Sequence, residues 1–376
     1  MPNVDSGPLS FAYWVPNISG GLGVSTAEQP TDWSYQYNIE LARIAEQAGF
    51  EYALTQVRNI GSHEAHYQYE STSFALALLL ATERLKVIAA VHPGLWHPGV
   101  LASWLATADH LSNGRVAVNV VSGWLKDEFT QLGEPWLEHD ERYRRGAEFI
   151  QVLQAIWSSR PANFAGDFYR IHDVVLQPAP LSWAGRPHPE ICQGGNSTAD
   201  RDNGGRYSNW YFSNGSDFDG VVAQVADIRR IAADSGRSEP PRFGLNGFVI
   251  VRDTEAEAHA VLREIIAKSD LPTMQGFGTT VRSAQVPNGD HRDIWADSSF
   301  EDLMRYNDGF RTQLIGTAEQ VAERIVAYRK LGVNLILAEF LDFQEDIQAF
   351  GRTVLPLVRE LEAQAGLSAP PLPALS

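Results

Sequence analysis

Cysteine is almost missing from this 376-residue chain: Cys192 stands alone. One thiol excludes an intrachain disulfide and any multi-cysteine zinc or iron–sulfur site, and it fits a reducing compartment. Positive charge is also short, with 30 Lys and Arg against 46 Asp and Glu, a formal charge of −16. Such a field repels phosphate backbones and anionic lipid surfaces at long range, which argues against nucleic-acid and membrane partners. It does not forbid one phosphate, because a few local N–H donors and an Arg can hold an anion on an acidic protein. No apolar run approaches the roughly 20 residues that span a bilayer, and residues 1–10 lack the basic and apolar segments of a signal peptide. A soluble, cytoplasmic protein is expected. The low charged fraction, 20%, beside 44% hydrophobic residues describes a globular chain with material for a large core.

What is present alternates. Short apolar runs rich in β-formers occur at 11–15, 52–56, 86–91, 116–121, 190–193, 210–213, 244–251 and 335–340. Between them, helical periodicity covers 35–47, 74–81, 99–110, 140–157, 219–233, 256–268, 317–331 and 344–363. A run such as Val116-Ala117-Val118-Asn119-Val120-Val121 suits a strand covered on both faces, as in a parallel sheet wrapped by helices. Eight strands without a Gly-rich dinucleotide turn favour an α/β fold of the closed (β/α)8 TIM-barrel type over a doubly wound sheet. The expectation is a single barrel domain over 1–376 with insertions. Residues 163–177 read as a small hairpin, 269–311 as a candidate active-site lid, and 365–376 as a Pro-rich flexible tail.

In such a barrel the chemistry sits at the C-terminal strand ends. Here those ends carry Trp14 and Asn17, then Val57-Arg58-Asn59, His92-Pro93-Gly94, Asn119 with Ser122-Gly123-Trp124, and Gly194-Gly195-Asn196-Ser197. The last is a Gly-rich turn leading towards a helix, able to offer N–H groups and a hydroxyl to a phosphate, though such turns are often only structural. The run from Glu138 to Arg145 places Arg142 and Tyr143 at a helix start; taken alone it reads as a solvated charge run. His92 and His97 suit a cofactor contact or a buried backbone group equally well. Glu128 reads more readily as a surface carboxylate, and Asn119, inside an apolar strand, needs a buried partner. His63 and His66 lie three apart, but no third ligand follows at a metal-site spacing, so no metal is expected.

Several stretches together resemble the bacterial luciferase-like flavin monooxygenases, and within them the dimethylsulfone monooxygenases. They are Phe11 to Asn17 with Gly20-Gly21, Ala48-Gly49-Phe50-Glu51, Asp109 to Arg115, Val118 to Trp124, Glu138 to Arg145, Gly194 to Ser197, and Tyr306-Asn307-Asp308-Gly309-Phe310. The resemblance spans nearly the whole chain. It implies that Asn119, Glu128, Arg142, Tyr143 and Ser197 contact or support FMN, with Val57 and Arg58 beside its ring or ribityl chain and the phosphate at Ser197 and Tyr143. It also implies that reduced FMN and O2 deliver an oxygen atom to a small-molecule substrate. With no nicotinamide-binding domain visible, the reduced flavin comes from a separate NAD(P)H-dependent flavin reductase. Family habit implies a homodimer or homotetramer. Asn17, His92 and Trp124 are the catalytic candidates.

Departures narrow the substrate. Related alkanesulfonate enzymes carry an Arg and a His where this chain has Asn246 and Phe248, and a Tyr where it has Phe340-Leu341. Losing those donors implies a small neutral organosulfur substrate, dimethylsulfone oxidised to methanesulfinate. Trp14, Trp96, Trp124, Phe248 and Phe340 then serve as pocket walls or as barrel core, with the choice left open. The alternatives are a flavin-dependent oxygenase of a cyclic amide or haloaromatic, or a non-catalytic flavin-binding barrel.

Overall fold

The computed structural model describes residues 7–20, 25–61, 65–183, 185–268 and 309–367. In chain order these form β1 (Ser10–Val15), α1 (Tyr35–Ala48), β2 (Tyr52–Thr55), α2 (Ser71–Ala81), β3 (Lys86–Val91), α3 (Pro98–Leu111) and β4 (Val116–Val120). There follow α4 (Lys126–Gln131), α5 (His139–Ser158), a hairpin of β5 (Ala162–Ala165) and β6 (Arg170–Val174), β7 (Glu190–Gly194), α6 (Thr198–Tyr207) and β8 (Trp210–Ser213). The rest is α7 (Phe218–Asp234), β9 (Arg242–Phe248), β10 (Ile250–Val251), α8 (Glu255–Ala267), β11 (Ile315–Gly316), α9 (Ala318–Lys330), β12 (Val333–Glu339) and α10 (Phe343–Gln364).

Eight parallel strands close in the order β1-β2-β3-β4-β7-β8-β9-β12, as the alternating apolar runs predict. Strands β2, β4 and β8 are buried along their whole length, one face against helices and the other inside the barrel. Local chemistry sets where helices begin. Ser34 and Asp217 cap α1 and α7, and Thr254 and Thr317 form reciprocal capping boxes with Glu257 and Gln320.

The period of two along each strand sorts side chains. Ala12, Leu54, Ile88, Ala117, Cys192, Trp210, Phe212, Leu335 and Leu337 pack inside as a plug, while the larger cluster fills the strand–helix interface. The plug depends on missing side chains: a Cβ on Gly244 would lie 2.4 Å from the Phe212 ring, and one on Gly194 2.9 Å from the Phe212 carbonyl oxygen. At the N-terminal end the interior is closed by polar groups. Tyr52 Oη donates to Glu190 at 3.1 Å, Lys86 Nζ donates to Tyr52 Oη at 3.0 Å, and Arg242 pairs with Glu190.

Two sequence expectations change, and two others fall largely outside the described residues. The run 244–251 is not one strand: Val249 N–H donates to Glu339 O, Ile250 N–H turns to Leu314 O, and β10 pairs with β11 outside the barrel. Helix α4 was not anticipated, and α6 was foreseen only as the helix towards which the Gly194–Ser197 turn leads, without bounds. Gly204-Gly205 hides α6 from propensity reasoning, yet a Cβ on Gly204 would lie 2.3 Å from the Tyr211 ring, so close packing requires these glycines. Of the proposed lid, 269–308 lies outside the described residues, and Phe310 is packed against Phe248 with ring centroids 4.4 Å apart. Of the proposed tail, 368–376 lies outside them, and Leu367 N–H still bonds back to Glu362 O.

Candidate active site

The C-terminal strand ends bring most of the sequence-selected polar residues to one mouth. On the β2–β3–β4 side, His92 and Glu128 form a buried pair: His92 Nε2 is 3.2 Å from Glu128 Oε2, with each side chain 1% exposed. His92 Nδ1 lies 2.9 Å from Val121 O, and since a carbonyl only accepts, that nitrogen carries a proton. The second nitrogen faces the Glu128 carboxylate. Burial works against ionising Glu128, but the His92 contact, Arg58 and the Asn59 N–H hold its carboxyl below the usual range. Glu128 Oε1 also accepts from the Asn59 side-chain amide at 3.0 Å. Glu128 is therefore a buried hub, not the surface carboxylate that composition suggested.

Arg58 lies over the Trp124 ring at 4.5 Å, and its Nη1 donates to Val57 O at 2.9 Å. Val57, Arg58, Trp124, His92 and Glu128 thus share one side of the mouth. Asn17 belongs to the frame. Its amide nitrogen donates to Gln56 O and Tyr69 O, and its amide oxygen accepts from Gln56 N–H, so the side chain clasps the β1 and β2 ends together. As a group to steer an oxygen-bearing reactant it is already committed.

The β7 end is built from α5 and α6. Ser197 caps α6 in a capping box with Asp200: Ser197 Oγ donates to Asp200 Oδ2 at 2.7 Å and accepts from Asp200 N–H at 3.1 Å. Asn203 donates to Tyr143 O at 2.7 Å, fixing the start of α5 against α6. Burial and the Asp200 carboxylate push the Tyr143 phenol well above its usual range, and Tyr143 also hydrogen-bonds Ser197. Arg142 is buried, stacks over Trp136 at 4.0 Å and donates to Leu137 O. The run from Glu138 to Arg145 is accordingly a solvated face only in part: Glu138, Asp140, Glu141 and Arg144 are exposed, while Arg142 and Arg145 are buried.

Asn119, interior on β4, has a buried side-chain oxygen with no hydrogen-bond partner. So do the Asn196 side-chain nitrogen and two guanidinium nitrogens of Arg145, which packs behind Gly94 and against the Phe129 ring. Buried polar atoms normally find partners, and a cluster of orphans at one barrel end suits a polar ligand. Arg145 and Glu339 escaped sequence reading, as did the hydrogen bonds that tie Trp14 and Asn246 to Glu339. Arg145 was within a motif already in view; Glu339 gave no motif at all.

Two proposed pocket walls are core instead. Phe340 packs outside the barrel against Phe50, Phe343 and Phe350, and Phe248 is fully buried beside Phe310 and Ile315. His66 is exposed, and His63 lies outside the described residues. Among the described residues no group of three or more His, Cys, Asp or Glu is arranged to hold a metal ion. Nor is any helix among them long and apolar enough to cross a membrane.

The sequence pattern of the luciferase-like monooxygenases matches residues 10–335. The chain belongs to that family. As a luciferase-like monooxygenase it is 56% identical over 359 residues to an FMNH2-dependent dimethylsulfone monooxygenase of Pseudomonas putida, covering 96% of this chain and 98% of that one. It is 55% identical over 357 residues to the protein of the same name from Pseudomonas fluorescens strain Pf0-1, covering 95% and 96%. A solved long-chain alkane monooxygenase shares the luciferase-like barrel at TM-score 0.79 and 19% identity, covering 96% of this chain and 92% of that one.

Proposed function

We propose that this luciferase-like monooxygenase takes reduced FMN and O2 and oxidises dimethylsulfone at one methyl group, breaking its C–S bond to give methanesulfinate and formaldehyde, with the second oxygen atom leaving as water. The carrying observation is the 55–56% identity, along almost the full length of both chains, to relatives bearing that name. The mouth agrees with a neutral substrate: on β9 the inward position is Asn246, whose amide bonds Trp14 and Glu339 and brings no positive charge.

The residues present fit a flavin, since the orphaned amide of Asn119, the hydroxyls of Ser197 and Tyr143 and the inward arginines supply donors and acceptors for a phosphate, a polyol and a heterocycle. In this reading Ser197 Oγ, Tyr143 Oη and the first N–H groups of α6 hold the phosphate, and Arg142 adds positive charge beside them. A phosphate there competes with the Asp200 carboxylate, which accepts from the Ser197 hydroxyl and from the Ser197 N–H just ahead of α6. Val57, Arg58 and Asn119 line the ring and ribityl chain, and Glu128 locks the His92 ring from behind. When bound, reduced FMN supplies the electrons and the oxygen-activating chemistry. The protein's share is to bind, orient and keep out water, with the His92 ring fixed between Val121 O and Glu128 and Trp124 walling the site.

The chain is read as a single barrel domain acting in the cytoplasm, assembled as a homodimer or homotetramer and supplied by a separate NAD(P)H-dependent flavin reductase. The test is product analysis by mass spectrometry with a generic flavin reductase, FMN, NADH and O2. Dimethylsulfone, an alkanesulfonate, uracil and a chlorinated aromatic are offered in parallel. Methanesulfinate from dimethylsulfone is expected. Hydrogen peroxide with no organic product would sink the proposal, and turnover of a ring substrate alone would replace its substrate.

A further inference from the structure

Three adjacent strands carry a hydrogen-bonded chain across the mouth. Trp14 Nε1, on β1, donates to Asn246 Oδ1, on β9, at 2.7 Å, and Asn246 Nδ2 donates to Glu339 Oε1, on β12 between them, at 3.4 Å. An indole nitrogen can only donate, so the Asn246 amide has one possible orientation, with its nitrogen towards Glu339. Leu335 and Leu337 belong to the interior plug, and the alternation that puts them inside puts Glu339 inside as well, at the last position of β12 and nearest the opening.

Glu339 is not sealed in. It is half-buried, and neither of its carboxyl oxygens is among the buried unpartnered atoms. One oxygen takes the Asn246 amide, and the side chain stands at the last inward position of β12. Burial pushes this carboxyl up to about 8, with the Asn246 hydrogen bond opposing. That shift favours the carboxylic acid form, a donor without charge. None of the three members of the chain is a cation, so an anionic substrate would surrender its water here against groups that return no counter-charge. A neutral molecule with acceptor oxygens meets no such penalty.

We propose that Glu339 sets the substrate class by donating a hydrogen bond from its carboxyl to an uncharged acceptor oxygen of the substrate, a sulfone oxygen on the reading above. Trp14 and Asn246 are positioning residues that hold the carboxyl at the correct angle. The proposal rests on the substrate reading, and the experiment separates the two.

Steady-state kinetics on dimethylsulfone and on methanesulfonate, with FMN affinity measured by fluorescence, compare the wild type with Glu339→Gln and Glu339→Leu. The Gln variant keeps a neutral donor and should hold its KM for dimethylsulfone within about threefold. The Leu variant removes the donor and should raise that KM by about tenfold, the worth of one hydrogen bond, with kcat and FMN affinity little changed. A Leu variant with unchanged KM overturns the assignment. A Gln variant that fails as badly as Leu also overturns it, in favour of chemistry peculiar to a carboxyl group. Should the Leu variant not fold by circular dichroism, Glu339→Ala gives the same reading without added bulk. Absence of dimethylsulfone turnover by the wild type would instead sink the substrate reading itself.

Discussion

His92 Nε2 lies 3.2 Å from a Glu128 carboxylate oxygen, and the two side chains are each 1% exposed. A carboxylate out of water persists only when neighbouring charge and hydrogen bonds answer it, here Arg58, Asn59 and the His92 ring, which Val121 O holds in place. Glu128→Gln should therefore cost about 3 kcal/mol at neutral pH, read as a lower urea midpoint. The pH dependence has a definite sign. The folded carboxyl titrates below its unfolded counterpart, so its contribution is complete above the unfolded carboxylate range and is lost as pH falls towards the folded value. The gap between wild type and variant should close on acidification; a gap independent of pH would contradict the pair.

Ser197→Ala removes the N-cap of α6 and one proposed phosphate donor. Stability should fall by about 1 kcal/mol, the usual worth of a cap. FMN affinity, followed by flavin fluorescence, should weaken by about three- to tenfold. Loss of stability with unchanged affinity would move the phosphate elsewhere.

Gly94 and Gly133 both adopt positive φ, +100° and +86°, but their surroundings differ. A Cβ at position 94 would sit 2.5 Å from the Arg145 guanidinium carbon, whereas one at 133 meets nothing within 4 Å. Gly133→Ala should cost about 1 kcal/mol in backbone strain alone. Gly94→Ala should cost about 2 to 3 kcal/mol and weaken FMN binding besides, because Arg145 must move. Equal Tm losses in the two variants would show that the Arg145 contact is immaterial.

At the far end of the barrel, burial works against ionising Glu190, yet Arg242 and Lys86 hold it below the usual carboxylate range. Glu190→Gln should lower thermal stability, by about 3 kcal/mol, and leave FMN affinity and the KM for dimethylsulfone as they were. A change in affinity would mean that this end communicates with the mouth.

The barrel was legible in the sequence because each buried strand, such as Val116 to Val120, announces itself by a continuous apolar run between helical patterns. Such runs do not show where a strand leaves the sheet. The break at Val249 depends on pairing with Glu339 and Leu314, residues far along the chain. The mouth was legible as a list of strand-end residues, but not their duties. Asn17 reads like an available amide and is saturated by backbone; Glu128 reads like a surface acid and is buried against His92. Both reversals come from contacts across strands, which spacing along one strand cannot encode. Glu339 was invisible for the opposite reason, since a single carboxylate ending an apolar run carries no pattern.

The interior plug of Trp210, Phe212, Leu335 and Leu337, closed beneath by Tyr52, Lys86, Glu190 and Arg242, makes this barrel a vessel with a floor. Such a floor turns every visitor of the mouth back towards the strand ends, so the flavin and the sulfur compound share that one side of the barrel.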